Sequence, residues 1–302
     1  MARPWIEFVQ SQRLPWTAHD LWGVRPGIEA KILSRDPDDG AASLLVRYPV
    51  GWNEPATPVL AVDEEVLVLD GALTVGDRSH GTMGYAHLPG GCVRGPMAAP
   101  AGAVALVFFS GTPRPGPAGG YDPARLLPGV DALAIPYTGN FHPQFPPGAG
   151  RKMLFQDPAT GDQTWILGTL PLRWAERSEV HPVVEEMYLL SGEVHGNRGV
   201  MRPGAYFWRP PLVAHGPYGS LTGNLYFFRT KGGPLSTDYV DPERPFRWWP
   251  GDDPVLPPEM AAAVAGDATH APRPWFPSSA APSSWSTTTA RSSSTMLQAQ
   301  RP

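Results

Sequence analysis

The sequence has one cysteine, nearly equal numbers of basic and acidic residues, and few uninterrupted apolar segments. Its single cysteine, Cys92, excludes a disulfide within one chain and fits a reducing compartment. The formal net charge is only −4 and no Lys- or Arg-rich run occurs, so nothing indicates binding to nucleic acid or to an anionic membrane. No apolar run is long enough to cross a bilayer, and the polar segment 1–14 does not resemble a signal peptide. We therefore expect a cytoplasmic protein.

Segments that could form long helices are also scarce. The 302 residues include 38 prolines and 33 glycines, which are spread through most of the chain. A proline inside a helix costs about 3 kcal/mol, and glycine is also unfavourable there. Short runs of valine, leucine, phenylalanine and tyrosine lie between these residues, and hydrophobic residues make up 42% of the chain. This pattern predicts an all-β protein with many turns and a substantial core.

An internal repeat is the strongest pattern in the sequence. The stretch from Lys31 to Glu65 aligns without a gap with the stretch from Lys152 to Glu186, at an offset of 121 residues. Turns, acidic pairs and aromatic pairs recur in the same order: Asp36-Pro37 and Asp157-Pro158, Gly40 and Gly161, Glu64-Glu65 and Glu185-Glu186, Gly71 and Gly192, Gly84 and Gly204, and Phe108-Phe109 and Phe227-Phe228. The last two pairs follow slips of one and two residues. We interpret the stretches as two copies of one domain.

The repeat predicts how the chain is divided. Residues 1–115 hold the N-terminal copy, residues 151–246 hold the C-terminal copy, and the Pro/Gly-rich residues 116–150 connect them. In each copy the residues after the paired glutamates are predicted to form a strand, a glycine turn and a second strand.

The C-terminal region, residues 247–302, lies outside the repeat. Pro257 to Asp267 is predicted to form a short helix, with its prolines early and its alanines inside. From Ala271 onward the chain is rich in serine, threonine, proline and alanine, a composition that predicts a disordered tail.

Candidate metal ligands cluster in the C-terminal copy. His181 is followed after three residues by Glu185, and His215 lies further along the chain. Imidazole and carboxylate together suit Fe(II), Mn(II), Ni(II) or Zn(II). Because strand residues two apart share a face, Glu185 is predicted to point inward and Glu186 away, while Glu179 shares the side of His181. We predict that His181, Glu185 and His215 bind one divalent ion per chain, with Glu179 as a fourth ligand.

Simpler roles for the same residues stay open. His181 and His215 could be ordinary strand histidines, since most single histidines are. Glu185 could pair with an arginine such as Arg209 instead of a metal, and Glu179 could be a solvated acid or could contact a ligand residue.

These residues resemble the two sequence motifs of the cupin superfamily. The matching positions of the first motif are His181, Glu185 and Gly192, and those of the second are Gly204, Pro210 and His215. The run VVEEMYLLSGEV is most similar to the cupins related to the anti-sigma factor ChrR. The resemblance covers roughly residues 30 to 230. It implies two tandem cupin barrels (double-stranded β-helices, or jelly rolls), as in a bicupin.

The C-terminal copy departs from the motifs at three positions. Glu179 stands where the first motif has its first histidine. Leu212 and Gly219 stand at the glycine and the final asparagine of the second motif.

The N-terminal copy departs further. Glu64 is in place, but Pro58 and Leu60 occupy the two histidine positions of the first motif, and Gly95 or Arg94 replaces the late histidine. One carboxylate holds a divalent ion poorly. We therefore predict a metal-free N-terminal barrel that serves as a structural partner or cap.

The resemblance implies a metal-dependent enzyme that acts on a small organic molecule. Non-haem dioxygenase chemistry comes first, with isomerase or lyase chemistry as lesser options. Glu179 is the predicted catalytic residue, since a carboxyl group beside the metal could move a proton. The predicted substrate contacts, chosen as an aromatic pocket and a cation near the metal, are Tyr188, Tyr206, Trp208 and Arg209.

Two other interpretations stay open. One is a metal-binding sensor or ligand-binding protein of the ChrR-like type without catalysis, although the sequence contains no sigma-binding helical domain. The other is a barrel that has lost its metal. Beyond a small-molecule substrate we predict no nucleic-acid or membrane partner, and a homodimer would be in keeping with other cupins.

Overall fold

Residues 3–139 and 148–265 are described in a computed structural model of the chain. They form 22 β-strands and one α-helix, which confirms the all-β prediction. Helix α1, Pro258–Ala265, falls within the segment predicted to be helical. No helix among the described residues is both long and apolar enough to cross a membrane. Part of the predicted connector (140–147) and the tail predicted to be disordered lie outside the described residues.

The first eleven strands lie before the C-terminal repeat. Their bounds are β1 Ile6–Gln10, β2 Thr17–His19, β3 Ile28–Arg35, β4 Ala42–Tyr48, β5 Trp52–Glu54, β6 Glu64–Val75, β7 Arg78–Gly81, β8 Gly84–Leu88, β9 Met97–Ala99, β10 Ala103–Phe109 and β11 Leu127–Asp131. Strands β2 to β11 form one sheet in which β11, β8, β6, β10, β4, β3 and β2 are successive neighbours. Off this path, β7 and β9 pair with β6, and β5 pairs with β9.

The other eleven strands form the C-terminal repeat. Their bounds are β12 Ala149–Gln156, β13 Gln163–Thr169, β14 Arg173–Trp174, β15 Ser178–Val180, β16 Val184–Ser191, β17 Val194–Gly196, β18 Gly199–Met201, β19 Ala205–Arg209, β20 Gly219–Ser220, β21 Asn224–Lys231 and β22 Asp238–Val240. A large sheet has the order β1-β19-β16-β21-β13-β12, and it faces a smaller sheet of the order β14-β20-β17-β18. All strand pairs are antiparallel, as in a jelly roll.

The matched Asp-Pro-x-x-Gly segments form equivalent hairpins. The backbone N–H of Gly40 donates to the carbonyl oxygen of Asp36, and Gly161 donates in the same way to Asp157. Both glycines have a φ of +76°, a conformation that a side chain disfavours. The glycine therefore recurs in both copies because each hairpin requires a positive φ at this position.

Alternation along the strands produces three apolar cores. In β16, Met187 and Leu189 face the interior of the C-terminal barrel, whereas Tyr188 and Leu190 face the N-terminal barrel. In β6, Val66 and Val68 fill the N-terminal barrel while Leu67 and Leu69 join the shared core. The two large sheets thus pack face to face, and both of their faces are buried. The sequence of a strand that is buried on both faces is a nearly continuous apolar run, and the central parts of β6 and β16 fit this pattern.

Strand β1 belongs to the C-terminal sheet, although the sequence prediction placed residues 1–115 together in the N-terminal domain. Ile6 lies opposite Trp208, and Gln10 lies opposite Ala205. Strand β11 comes from the predicted connector and pairs with β8 of the N-terminal sheet. These pairings cover the edges of β19 and β8, and they depend on contacts that no local sequence pattern reports.

Arg229 connects the two barrels electrostatically. Its Nη2 lies 2.5 Å from Oε1 of Glu65 in the N-terminal repeat, and its Nη1 lies 2.5 Å from Oε2 of Glu186. Glu65 also accepts hydrogen bonds from Tyr85 and Thr164 at 2.7 Å. Glu65 and Glu186 are the second acids of the two aligned pairs. Glu186 points away from its own barrel, as predicted, and is buried in the contact between barrels.

Candidate metal centre

The four predicted ligands come from two adjacent segments. Glu179 lies in β15, His181 follows that strand, and Glu185 is near the start of β16, while His215 lies in the loop between β19 and β20. The backbone N–H of Glu179 donates to the carbonyl oxygen of His215, and the N–H of His215 donates to that of Glu179, at 2.9 and 3.0 Å. A further bond joins the N–H of Leu212 to the carbonyl of His181 at 2.8 Å. The loop is therefore held against β15.

The side chains of all four residues converge. His181 Nε2 lies 3.7 Å from Oε1 of Glu185 and 3.8 Å from Oε2 of Glu179. His215 Nε2 lies 3.4 Å from Oε2 of Glu185 and 4.0 Å from Oε2 of Glu179. One ligand atom from each of Glu179, His181 and His215 lies within 4.8 Å of the other two. Two atoms that are each about 2.1 Å from one cation lie roughly 3 to 4 Å apart, so these spacings suit a shared ion.

Backbone carbonyls determine which nitrogen of each histidine is available. His181 Nδ1 lies 2.8 Å from the carbonyl oxygen of Ser236, and His215 Nδ1 lies 3.0 Å from that of Val213. A carbonyl only accepts, so we assign the proton of each neutral ring to Nδ1 and the lone pair to Nε2. His181 Nε2 is buried and has no hydrogen-bond partner among the described residues. This orphaned acceptor fits a metal ligand, because such histidines are usually oriented through their other nitrogen.

Burial and neighbouring charges keep His215 and Glu185 in a ligating form. Burial lowers the pKa of His215 to about 3, and the nearby charge of Arg209 acts in the same direction. Burial and the charge of Glu185 raise the pKa of Glu179. Burial alone would raise the pKa of Glu185, but His181 and Arg209 outweigh it and hold that pKa below its ordinary value. At neutral pH His215 is therefore neutral and Glu185 ionised.

The low pKa of His215 predicts a loss of stability in acid for the metal-free protein. Folded His215 takes up a proton only near pH 3, whereas an unfolded histidine does so near pH 6.5. Unfolding therefore becomes easier as the pH falls through this window, by about 1.4 kcal/mol per pH unit from this group. Urea unfolding in a chelator, compared between wild type and His215→Gln, measures the contribution. We expect a shallower pH slope for the variant, and equal slopes would contradict the assignment.

Arg209 lies behind the candidate ligands and holds two carboxylates. Its Nη1 lies 2.6 Å from Oε2 of Glu185, and its Nη2 lies 2.5 Å from Oε1 of Glu7 and from the hydroxyl of Tyr218. Its Nε also donates to Glu7. Glu185 thus has the arginine partner that the sequence allowed for, and it also has two histidine neighbours, while its role as a metal ligand stays a prediction. Glu7 reaches this position because β1 pairs with β19.

We expect Glu7→Gln to weaken metal binding by about 10- to 100-fold, the range measured when residues that hold metal ligands are changed. Without the charge of Glu7, Arg209 attracts Glu185 more strongly and competes with the cation for its carboxylate. Competition titration against a coloured chelator measures the affinity. Glu29→Gln, on the surface beside Arg47, is the matched control and should bind as wild type does. Unchanged affinity in a folded Glu7→Gln protein would contradict this role.

A cavity of about 340 Å³ opens beside the four candidate ligands. Its lining is mostly apolar and includes Trp165, Met187, Met201, Phe207, Tyr226 and Phe228. Arg173 and Trp174 of β14 lie at its wall, and Arg209 and Tyr218 line the side nearest the ligands. The arrangement matches a small-molecule site, where apolar walls accompany a few polar groups.

Three of the predicted substrate contacts are wrong. Tyr188, Tyr206 and Trp208 belong to the core between the barrels, and none of them lines the cavity. The physical reason is strand alternation, because Tyr188 lies next to the inward-facing Met187 and pairs with Tyr206 on the opposite face. Only Arg209 of the predicted set lines the cavity.

Alternation could have identified the residues that do line the cavity. Met187 is two residues after Glu185, and both Phe207 and Phe228 lie opposite Met187 in the sheet. Trp165 in turn lies opposite Phe228. Glu7 and Arg173 carry no such signal, since their positions depend on pairings with distant strands.

The position that aligns with Glu185 has a different partner in the N-terminal barrel. Arg25 donates to both carboxylate oxygens of Glu64 at 2.8 and 3.2 Å, and Arg94 donates to Oε2 at 3.0 Å. Arg94 is one of the two residues that the sequence places at the late histidine. These buried ion pairs favour the prediction of a metal-free N-terminal barrel, because guanidinium groups already engage both oxygens.

The comparisons with known proteins agree with this architecture. Residues 134–234 match the family model described as a ChrR cupin-like domain. The chain has the cupin fold, in two tandem barrels. Among solved structures, a protein from Nostoc punctiforme named as a candidate dioxygenase is 19% identical with a TM-score of 0.69, over 80% of this chain and 92% of that one. No curated protein sequence matches.

Oxalate decarboxylases are also structurally similar. A variant of the Bacillus subtilis enzyme is 12% identical with a TM-score of 0.51, over 78% of this chain and 79% of that one. The Lactobacillus farciminis enzyme, in complex with formate, is 11% identical with a TM-score of 0.51, over 77% and 88%. Mn(II) centres are named for the Bacillus subtilis enzyme. At these identities the likeness establishes the fold alone.

Proposed function

We propose that the protein is a metal-dependent cupin enzyme that acts on a small organic molecule, as a non-haem dioxygenase. One divalent ion is held by His181, Glu185 and His215, with Glu179 as a fourth ligand or as an acid beside them. The observation that carries the proposal is the convergence of two imidazole lone pairs and two carboxylates at an apolar cavity.

The donor set suits iron, manganese, nickel or zinc, and we propose Fe(II). When bound there, a redox-active ion supplies the activation of dioxygen beside an organic substrate. The name of the Nostoc punctiforme protein supports an oxygenase, because its TM-score of 0.69 exceeds the 0.51 of the two oxalate decarboxylases described above.

Residues of the chain position the candidate ligands, and Glu179 can carry a proton. Arg209 orients Glu185 through a short ion pair, and the two backbone carbonyls orient the imidazoles. Glu179 is the most exposed of the four, with a quarter of its side chain accessible. Its raised pKa lets it carry a proton closer to neutral pH than an ordinary glutamate. Glu179 is therefore the proposed catalytic residue.

Two other functions have specific support. The family match of residues 134–234 favours a ChrR-like sensor or ligand-binding protein that holds a metal without turnover. The similarity to oxalate decarboxylases favours a cupin lyase or isomerase. Both use the same proposed metal centre, and they differ in whether a bound ligand is converted and by which reaction.

Metal analysis and oxygen uptake together test the proposal. The wild-type protein, purified without added metal and then reconstituted with each of the four ions under argon, is expected to bind about one ion per chain. The iron form should consume oxygen with at least one member of a panel of diketones, phenols and thiols. Tight zinc binding without turnover would point to the sensor instead. Absence of any stoichiometric metal would contradict the metal centre itself. A cytoplasmic location and a homodimer stay predictions.

A further inference from the structure

Two of the described arginines line the cavity, Arg173 and Arg209, and among the described residues Arg209 alone of the two has its charge matched by direct ion pairs. Arg209 contacts Glu7 and Glu185, so two carboxylates neutralise it. The anionic group of a substrate gains little from such an arginine, because it would have to displace a buried carboxylate. Arg209, although it was predicted to contact the substrate, is therefore poorly suited to bind a substrate anion.

Arg173 is the other arginine. It lies in the two-residue strand β14, where it pairs with Ser220 of β20, and its side chain lines the cavity and is partly buried. Within residues 3–139 and 148–265, its guanidinium group makes no hydrogen bond or ion pair. Glu179, Tyr226 and Tyr239 line the same cavity as Arg173.

A continuous aromatic wall lines the same cavity. The rings of Trp165 and Phe228 are stacked, with centroids 5.3 Å apart and planes 11° apart. Phe207 and Tyr226 contact Phe228 at 6.2 and 5.4 Å between centroids. Flat apolar groups pack well against such a wall, through burial and through offset or edge contacts.

Building on the proposed metal enzyme, we propose that the cavity binds a small aromatic carboxylate whose ring packs against Trp165, Tyr226 and Phe228 and whose carboxylate pairs with Arg173. A divalent ion at the candidate centre adds further positive charge beside the cavity, which favours an anionic ligand over a neutral one. Arg173 then determines which substrates are accepted, and Arg209 positions Glu185.

Calorimetric titration with hydrocinnamate and with hydrocinnamyl alcohol, which share a ring and chain length, tests this assignment. Hydrocinnamate is expected to bind the wild type more tightly than the alcohol does. Arg173→Gln should weaken hydrocinnamate binding by about 10-fold or more, the size of one charged hydrogen-bonded contact. The same change should alter binding of the alcohol less than about 2-fold, since the alcohol carries no charge for Arg173 to pair with.

The matched control is Arg244→Gln, an exposed arginine paired with Asp253 away from the cavity, which should bind both probes as wild type does. Circular dichroism confirms that each variant is folded. Equal binding of the two probes, no binding at millimolar concentration, or an unchanged affinity in Arg173→Gln would each overturn the assignment.

The same titrations on metal-free and zinc-loaded protein separate this inference from the proposed function. If the protein fails to bind added zinc and still binds the carboxylate in a way that depends on Arg173, the inference stands and the metal centre is refuted. Stoichiometric metal with carboxylate binding indifferent to Arg173 would do the reverse.

Discussion

We expect His181→Ala to reduce the affinity for a divalent metal by at least about 100-fold. Changes to residues that merely hold a metal ligand cost 10- to 100-fold, and the loss of a ligand removes a coordinate bond as well. His181 supplies a buried Nε2 that nothing else in the described chain engages, and Ser236 already orients its ring. Elemental analysis after dialysis and competition with a coloured chelator measure the change.

His195→Ala is the matched control for that experiment. His195 is also buried in the C-terminal barrel, and its Nδ1 faces the carbonyl oxygen of Trp248, but it lies outside the four converging groups. We expect this variant to keep its metal. If His181→Ala retained wild-type affinity while folded, or if both variants lost metal equally, the proposed centre would be wrong.

We expect Arg229→Met to destabilise the protein by about 3 to 5 kcal/mol. Removal of one partner from a buried ion pair leaves an uncompensated charge, and here two carboxylates, Glu65 and Glu186, lose their shared cation. Burial by itself would raise the pKa of Glu65, but Arg229 and its hydrogen bonds lower that pKa to about 2. Since this group is ionised at neutral pH, the variant carries the full cost there. Urea unfolding at neutral pH measures it.

Two comparisons make the result interpretable. Arg202→Met removes a surface arginine paired with Glu193, both more than 40% exposed, and should cost less than about 1 kcal/mol. The triple variant Arg229→Met, Glu65→Gln, Glu186→Gln also removes the two uncompensated carboxylate charges. It should recover part of the lost free energy of unfolding. A loss in Arg229→Met no larger than in Arg202→Met would contradict the role of Arg229 between the barrels.

The grouping of the candidate ligands Glu179, His181 and Glu185 could be predicted because it depends on local spacing. His181 follows β15 and Glu185 lies four residues later near the start of β16, and alternation separates Glu185 from Glu186. The structure brings Glu179, His181, Glu185 and His215 together, which is the arrangement that the motif spacing predicts. The partner of the second acid could not be predicted, because Arg229 is reached only when β21 lies beside β16 and the other barrel packs on top.

Three of the four predicted substrate contacts were wrong because the sequence of one repeat does not show what covers its outer face. Aromatic composition near the ligands was taken as proximity to the cavity, whereas strand alternation sends Tyr188, Tyr206 and Trp208 to the opposite face. That face is aromatic because a second barrel covers it. In an isolated barrel the same residues would be exposed, so the sequence of one repeat does not show why they are there.

By itself the sequence determined the all-β character, the duplication, the helix near residue 260 and the group of residues around His181. All of these depend on local periodicity, turn chemistry and short-range spacing. Only the tertiary structure decided that Glu7 reaches Arg209, that Arg173 faces the cavity, and that Arg25 and Arg94 engage Glu64. Each of these contacts joins strands or loops that are distant in the chain, and their pairing depends on the packing of whole sheets.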